Sequence, residues 1–350
     1  LTGGEVVTFS VSFSPLAEGL RPANLEISSN DPDEDPFIIL LTGEAMTPQA
    51  AVQEAYLKAG NAGTVDEFGR AVAVDGDTMV ISAHIEWGDA SSSASSPNDN
   101  AQGAGAVYVF ARDGTDWIQQ AYLKGSNTEE NDRFGYSMAL DGDTLVIGAR
   151  RESGDAGSSA LSPNNNAPAA GAAYIFVRDG TNWVQQAYLK ASNAGEFDYF
   201  GESVAISGDT VVVGARSEDG DVNSLALAPN DNADGAGAAY VFVRTASSWS
   251  QQAYLKASNA RPHDVVGISV AVDGDSVVVG AFGEDGDENI RNAGAAYVFA
   301  RSGTQWSQQA YLKASNPGDS DFFGHSVAIE GDTVIVGAPQ EDGDGSSTPA

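Results

Sequence analysis

Gln186-Ala187-Tyr188-Leu189-Lys190 returns 66 residues later as Gln252-Ala253-Tyr254-Leu255-Lys256, and what lies between the two copies decides the fold. The tyrosine of this Tyr-Leu-Lys falls at Tyr56, Tyr122, Tyr188, Tyr254 and Tyr311, so successive spacings are 66, 66, 66 and 57 residues. A fixed period of that size marks an array of supersecondary units, none able to bury its apolar face without a neighbour. Within the third unit, residues 200–206 read as a first strand and Ser207-Gly208-Asp209 as a tight turn. Residues 210–215 form a second strand rich in the β-branched side chains that suit a pleated surface. After a long polar loop, residues 238–244 and 249–256 complete a four-stranded antiparallel meander. The second and third strands are apolar at nearly every position, which requires cover on both faces of each sheet. Sheets of four strands stacked around an axis make a β-propeller, and a straight solenoid is the alternative stacking.

Working outward, Asp-Gly at 75–76, 141–142 and 273–274, Ser-Gly at 207–208 and Glu-Gly at 330–331 supply the positive φ of a compact hairpin between the first two strands. Upstream of the array, residues 7–14 alternate apolar and polar with period two, Ala23, Leu25 and Ile27 repeat the pattern, and residues 37–41 form a more buried strand. These read as the last part of an all-β sandwich. The expected division is therefore residues 1–47, a linker at 48–52, and an array over 53–350 with units starting near 68, 134, 200, 266 and 323, the last one truncated.

The chain of 350 residues holds 17 Lys and Arg against 49 Asp and Glu, a formal charge of −32. Such a balance repels nucleic acid and anionic membranes, which need basic patches to replace counterions, and favours cations or cationic partners. Each of the five lysines sits in a Tyr-Leu-Lys (Lys58, Lys124, Lys190, Lys256, Lys313), where pairing with nearby acids is expected. Cysteine is absent, which excludes disulfides, thiol catalysis and thiolate metal sites. No run of apolar residues is long enough to span a bilayer.

Two resemblances follow from these motifs. Phe-Gly-x-Ser-Val-Ala, Val-Val-Val-Gly-Ala and Gly-Ala-Ala-Tyr-Val-Phe, followed by Trp-x-Gln-Gln-Ala-Tyr-Leu-Lys, resemble the FG-GAP repeats of surface proteins, related to the propeller of integrin α subunits. Phe68-Gly69, Phe134-Gly135, Phe200-Gly201 and Phe323-Gly324 carry the first motif, Val266-Gly267 is a weakened copy, and Ser82-Ala83 departs from the Gly-Ala of the second strand. The resemblance implies a propeller of about seven blades, so the five blade starts of this sequence are expected to make a partial ring. Residues 4–45 resemble the end of an immunoglobulin-like domain of the Hydin and choice-of-anchor type. Integrin-type repeats hold calcium on an Asp-x-Asp-x-Asp-Gly turn between the first two strands; here only Asp75-Gly76-Asp77 and its equivalents stand there, too short to wrap the cation.

A different acidic cluster follows the second strand. Asp219, Asp221 and Asn223, Asp285, Asp287 and Asn289, and Asp342 and Asp344 offer alternate hard oxygen ligands on glycine-bent loops, a donor set that suits Ca²⁺. Asp66, Asp132, Asp198, Asp264 and Asp321, each two residues before the Phe-Gly position, are expected at the same end of the sheets. The long loops through Asn98, Asp99 and Asn100, through Asn164 and Asn165, and through Asn230, Asp231 and Asn232 are the expected contact surface for a protein or carbohydrate ligand. Gly201-Glu202-Ser203 and Gly324-His325-Ser326 imitate a hydrolase nucleophile elbow, but the motif recurs in most units and enters a strand with no helix behind it. His84, His263 and His325 occupy different repeat positions and assemble no triad. The expectation is a non-enzymatic extracellular or cell-surface adhesion module. A propeller hydrolase or lyase using rim carboxylates and a ligand-free spacer are the alternatives; a rim nearly the same from unit to unit argues against the enzyme.

Overall fold

The structure, a computed structural model, describes residues 19–27, 37–45, 53–224, 230–285 and 290–342. The chain divides into two compact units, Leu1–Tyr56 and Leu57–Ala350. In the first, β1 (Gly19–Ile27) and β2 (Phe37–Ala45) pair antiparallel from Gly19 opposite Ala45 to Ile27 opposite Phe37. The strand expected at 7–14 lies outside the described residues.

The second unit is the array. Its strands are β3 (Phe68–Asp75), β4 (Thr78–Ala83), β5 (Ala106–Asp113) and β6 (Asp116–Leu123), then β7 (Phe134–Asp141), β8 (Thr144–Ala149), β9 (Ala172–Asp179) and β10 (Asn182–Leu189). They continue with β11 (Phe200–Ser207), β12 (Thr210–Ala215), β13 (Ala238–Thr245), β14 (Ser248–Leu255), β15 (Ser269–Asp273), β16 (Ser276–Ala281), β17 (Ala295–Ser302) and β18 (Gln305–Leu312). β19 (Ser326–Glu330) and β20 (Thr333–Gly337) form the last described pair. Each of the four complete sheets is an antiparallel meander in chain order. The first strands of successive sheets lie against one another while the fourth strands barely meet, the wedge geometry of propeller blades with β3, β7, β11, β15 and β19 nearest the axis. The chain is thus an all-β, partial propeller of four-stranded blades.

Motif residues that look like recognition signals turn out to set the contacts between blades. Phe200 pairs with Ala215 and Ser203 with Gly214, so Gly201 and Glu202 bulge out of the ladder, with Gly201 at φ +91°. That bulge carries the main chain onto the preceding blade: a Cβ on Gly201 would lie 2.4 Å from the carbonyl of Ala172, and one on Gly148 would lie 2.2 Å from that of Gly201. The serine of the apparent elbow donates across the next seam, Ser203 Oγ to Gly267 O at 2.8 Å, so it is a clamp rather than a nucleophile. In the first blade Ala71 replaces that serine and Ser82 the facing glycine; the Ser82 hydroxyl accepts from Ala71 N at 3.0 Å, a compensating exchange.

The second glutamine of Gln-Gln-Ala-Tyr-Leu-Lys is likewise a bulge residue, since Gln251 pairs with Phe242 and Ala253 with Val241. Turned out of its own ladder, Gln252 accepts from the indole of Trp306 in the next blade at 2.8 Å, as Gln186 does from Trp249 and Gln120 from Trp183. At the hairpin end, Asp141 Oδ2 accepts from Gly208 N at 2.6 Å, another contact between neighbours. Between the sheets β8 and β12 are buried throughout, and Val146, Ile175, Val211, Val213 and Phe242 belong to one continuous core.

Candidate functional site

The loops before the first strand and after the second meet at one end of each blade, as the meander requires. Their foundation is a buried glutamate at the first turn after the second strand. Glu152 accepts from Lys190 Nζ at 2.9 Å, Tyr188 Oη at 2.8 Å, Asn127 Nδ2 at 3.0 Å and Gly154 N at 3.0 Å. Lys190 Nζ donates in addition to Gly171 O at 2.5 Å. Glu86 with Lys124, Glu218 with Lys256 and Glu284 with Lys313 repeat the arrangement. The pairing expected for the lysines of Tyr-Leu-Lys therefore holds in four units, with one particular glutamate. Burial draws the Lys190 ammonium below its ordinary range although Glu152 pulls the other way, and burial lifts the Tyr188 phenol above its own.

Above this network sits the aspartate two residues before Phe-Gly. Asp198 Oδ2 accepts from Gly195 N at 2.7 Å, and both its neighbours, Phe197 and Tyr199, are in the left-handed region at φ +64° and +56°. The same pair of left-handed residues flanks Asp66, Asp132, Asp264 and Asp321. The conformation is held by the preceding blade: Phe197 N, Tyr199 N and Phe200 N donate to the carbonyls of Pro168, Ala169 and Ala170. Desolvation raises Asp198 to about 7 against the hydrogen bond from Gly195, with Glu218, Asp219 and Asp231 adding repulsion. Asp264 is likewise pushed up to about 7, and Asp132 well above the carboxylate range. These acids and those of the following loop thus lie at the same blade end, where they repel one another.

The long loops are closed by clasps. Asp221 Oδ1 accepts from Asn230 Nδ2 at 3.0 Å and from Asn223 N at 2.7 Å, Oδ2 accepts from Asn232 Nδ2 at 3.3 Å, and Asp221 N donates to Asn230 Oδ1 at 3.0 Å. Asp89 with Asn98 and Asn100, and Asp155 with Asn164 and Asn166, repeat the set. These hydrogen bonds hold the Asp89, Asp155 and Asp221 carboxyls below their ordinary range. Of the residues expected to touch a partner, Asn98, Asn100, Asn164, Asn230 and Asn232 therefore fasten the loop, while Asp99, Asn165 and Asp231 stand exposed between the clasping positions, Asn165 Nδ2 donating to Glu129 Oε2 at 2.7 Å.

Of the expected calcium ligands, Asp219 Oδ1 accepts from Gly235 N at 2.7 Å, Asp285 Oδ1 accepts from Asn292 N at 3.0 Å, and Asn223 and Asp342 are exposed. Asp287, Asn289 and Asp344 lie outside the described residues. Among the described residues no three carboxylate or imidazole groups stand close enough to share one metal ion.

One feature escaped the sequence reading, which expected a nearly uniform rim. Three positions at the inner edge differ from unit to unit: Glu67, Arg133, Tyr199, Val265 and Phe322; Arg70, Tyr136, Glu202, Ile268 and His325; His84, Arg150, Arg216, Phe282 and Pro339. The first three units are cationic and aromatic there; in the last two, Phe282 packs edge-on against Phe322 at 5.2 Å and near His325 at 5.7 Å. Subtracting the repeat from the sequence, rather than searching for it, is the signal that isolates these positions.

Comparison with known proteins identifies a family. The FG-GAP repeat family matches residues 51–110, 117–176, 183–242, 249–299 and 306–350, which together take in most of the chain. No curated protein matches it.

Proposed function

The chain belongs to the FG-GAP repeat family, and from that premise we propose that it is an extracellular or cell-surface binding module that engages a protein or carbohydrate through its clasped rim loops. Repeats of this family are structural and adhesive, not catalytic, so the chain is not an enzyme. The observation that carries the reading is the clasp itself. An aspartate and two asparagines fix each loop from within and leave Asp99 and Asp231 exposed on a rigid base, with Asn165 exposed beside them and tethered to Glu129, which lowers the entropy lost when a partner docks. Residues 1–47 serve in this reading as the end of an immunoglobulin-like spacer.

The experiment is a screen of the fluorescently tagged chain on glycan and matrix-protein arrays, beside a variant carrying Asp99→Ala, Asn165→Ala and Asp231→Ala. Reproducible binding that the triple substitution abolishes, with an unchanged thermal midpoint, is the expected result. Binding that survives it moves the contact surface elsewhere, and no binding at all favours a spacer.

Ca²⁺ is the accompanying cation in this reading: burial raises the Asp219 carboxyl against the hydrogen bond from Gly235, and Asp234, Asp231 and Glu218 add a repulsion that a cation would relieve. Calorimetric titration of the wild type and of an Asp219→Ala, Asp221→Ala double variant tests this. A thermal midpoint indifferent to chelator removes calcium from the account.

A further inference from the structure

Five of the twelve arginines gather at the inner edge of the first three units, on a chain whose formal charge is −32. The Arg70 guanidinium lies 4.4 Å and that of Arg150 3.8 Å from the Tyr136 ring centroid, and Arg216 lies 4.8 Å from that of Tyr199. Glu202 takes up part of this charge, accepting from Arg150 Nη1 at 2.9 Å and Arg216 Nε at 3.1 Å. Among the described residues Arg133 and Arg151 have no such carboxylate ion pair. Burial depresses Arg133, and Arg151 and Arg150 repel it, with only Glu67 pulling the other way. Arg133 Nη1, Arg150 Nε and His84 Nδ1 are buried with no hydrogen-bond partner among the described residues. Arg133 is also one of the left-handed residues, at φ +61°.

Desolvated guanidinium N–H groups without acceptors, on a strained backbone and beside further cations, raise the energy of the unliganded protein unless an acceptor arrives. The cation that these acids would attract elsewhere on the rim has no place here; the complement is an anion, and planar guanidinium forks match a carboxylate.

We propose that Arg133 and Arg150, with Arg70, Arg151 and His84 around them, form an anion site at the axial edge of the first two blades that binds a carboxylate group of an acidic ligand. This site is separate from the clasped loops and does not depend on their role. His84 reports on it. Its Nδ1 is 3.7 Å from Glu67 Oε2, and burial with the charges of Arg70, Arg133 and Arg150 lowers it to about 4, so it is neutral at pH 7. Glu67, Arg70, Arg133, Arg150 and the edge-on Tyr136 are the groups that face it. A carboxylate beside the arginines offsets their repulsion and moves the imidazole titration upward.

Two probes carry the carboxylate on different scaffolds: a tetraglutamate peptide and trigalacturonate. Each is titrated calorimetrically into the intact chain at low ionic strength, and into Arg133→Gln, Arg150→Gln and, as a surface control, Arg291→Gln. Saturable binding weakened tenfold or more by the first two substitutions and unchanged by the third is expected, whichever probe binds. Equal affinity in all variants, or no binding of either probe to the wild type, overturns the proposal. Where Arg133→Gln lowers the thermal midpoint, NMR titration of the wild-type His84 imidazole replaces it. An upward shift with saturating probe supports the site, and an unmoved titration curve overturns it.

Discussion

At the level of single residues, the ionisable groups of each blade end divide into three layers with opposite pH behaviour. Asp198 and Asp264 are both raised to about 7 from an ordinary value near 4, so the folded chain holds protons there that the unfolded chain has released. Their contribution is most favourable at pH 4 and falls as pH rises to about 7, since stability declines with pH wherever the folded state binds more protons. Asp198→Asn, which keeps an acceptor for Gly195, is expected to flatten the dependence of the denaturation midpoint between pH 4 and 7 relative to wild type; parallel curves would contradict it. The clasp aspartates Asp155 and Asp221 act the other way, with stability present above their ordinary value and lost as pH falls through the lowered one. In the buried layer, Lys190→Met strands Glu152 without its cation, and a loss of about 3–5 kcal/mol in chemical denaturation is expected, largely restored when Glu152→Leu is added. A single variant as stable as wild type would show that the pair is replaceable by water.

Within an element, glycines of one motif family do different jobs, and substitution separates them. A Cβ on Gly214 would stand 2.0 Å from the carbonyl of Gly267 in the next blade, whereas one on Gly208, at φ +55° in the hairpin turn, would meet nothing. Gly208→Ala is expected to cost about 1–2 kcal/mol from the left-handed backbone alone. Gly214→Ala should cost more because two main chains must part, and equal midpoints for the two variants in urea melts would refute the distinction. The boundaries of the strands were legible in the sequence: residues 210–215, read as a strand from their β-branched run, are β12 to the residue. The double bulge at Gly201 and Glu202 and the outward turn of Gln252 were not, because local periodicity records which face a side chain takes but not what the neighbouring sheet demands of it. For the same reason the bonding of Asn230 and Asn232 to Asp221, more than eight residues away along the loop, was not legible either.

For the array as a whole, burial grades from the middle strands outward. β8 and β12 are buried along their length, while β3 and β19 leave alternate residues to solvent, with Val72 and Val74 both above 60 % exposed. Hydrogen exchange is therefore expected to be slowest in β8, β9, β12 and β13 and fastest in β3 and β19, the order given by nearest-neighbour stabilisation in a repeat protein. Uniform protection across all blades would mean that the array opens only as one body. The contact of main chain with main chain at each seam carries a further consequence. Since Gly148 against Gly201 and Gly214 against Gly267, each clamped by a repeated serine, fix the pitch from blade to blade without using any loop or inner-edge side chain, the outward loops and the inner edge are free to diversify independently of it. Such a chassis can exchange the recognition surface of one blade for another's and keep its geometry, so specificity can evolve by transplanting whole loops rather than by retuning the frame beneath them.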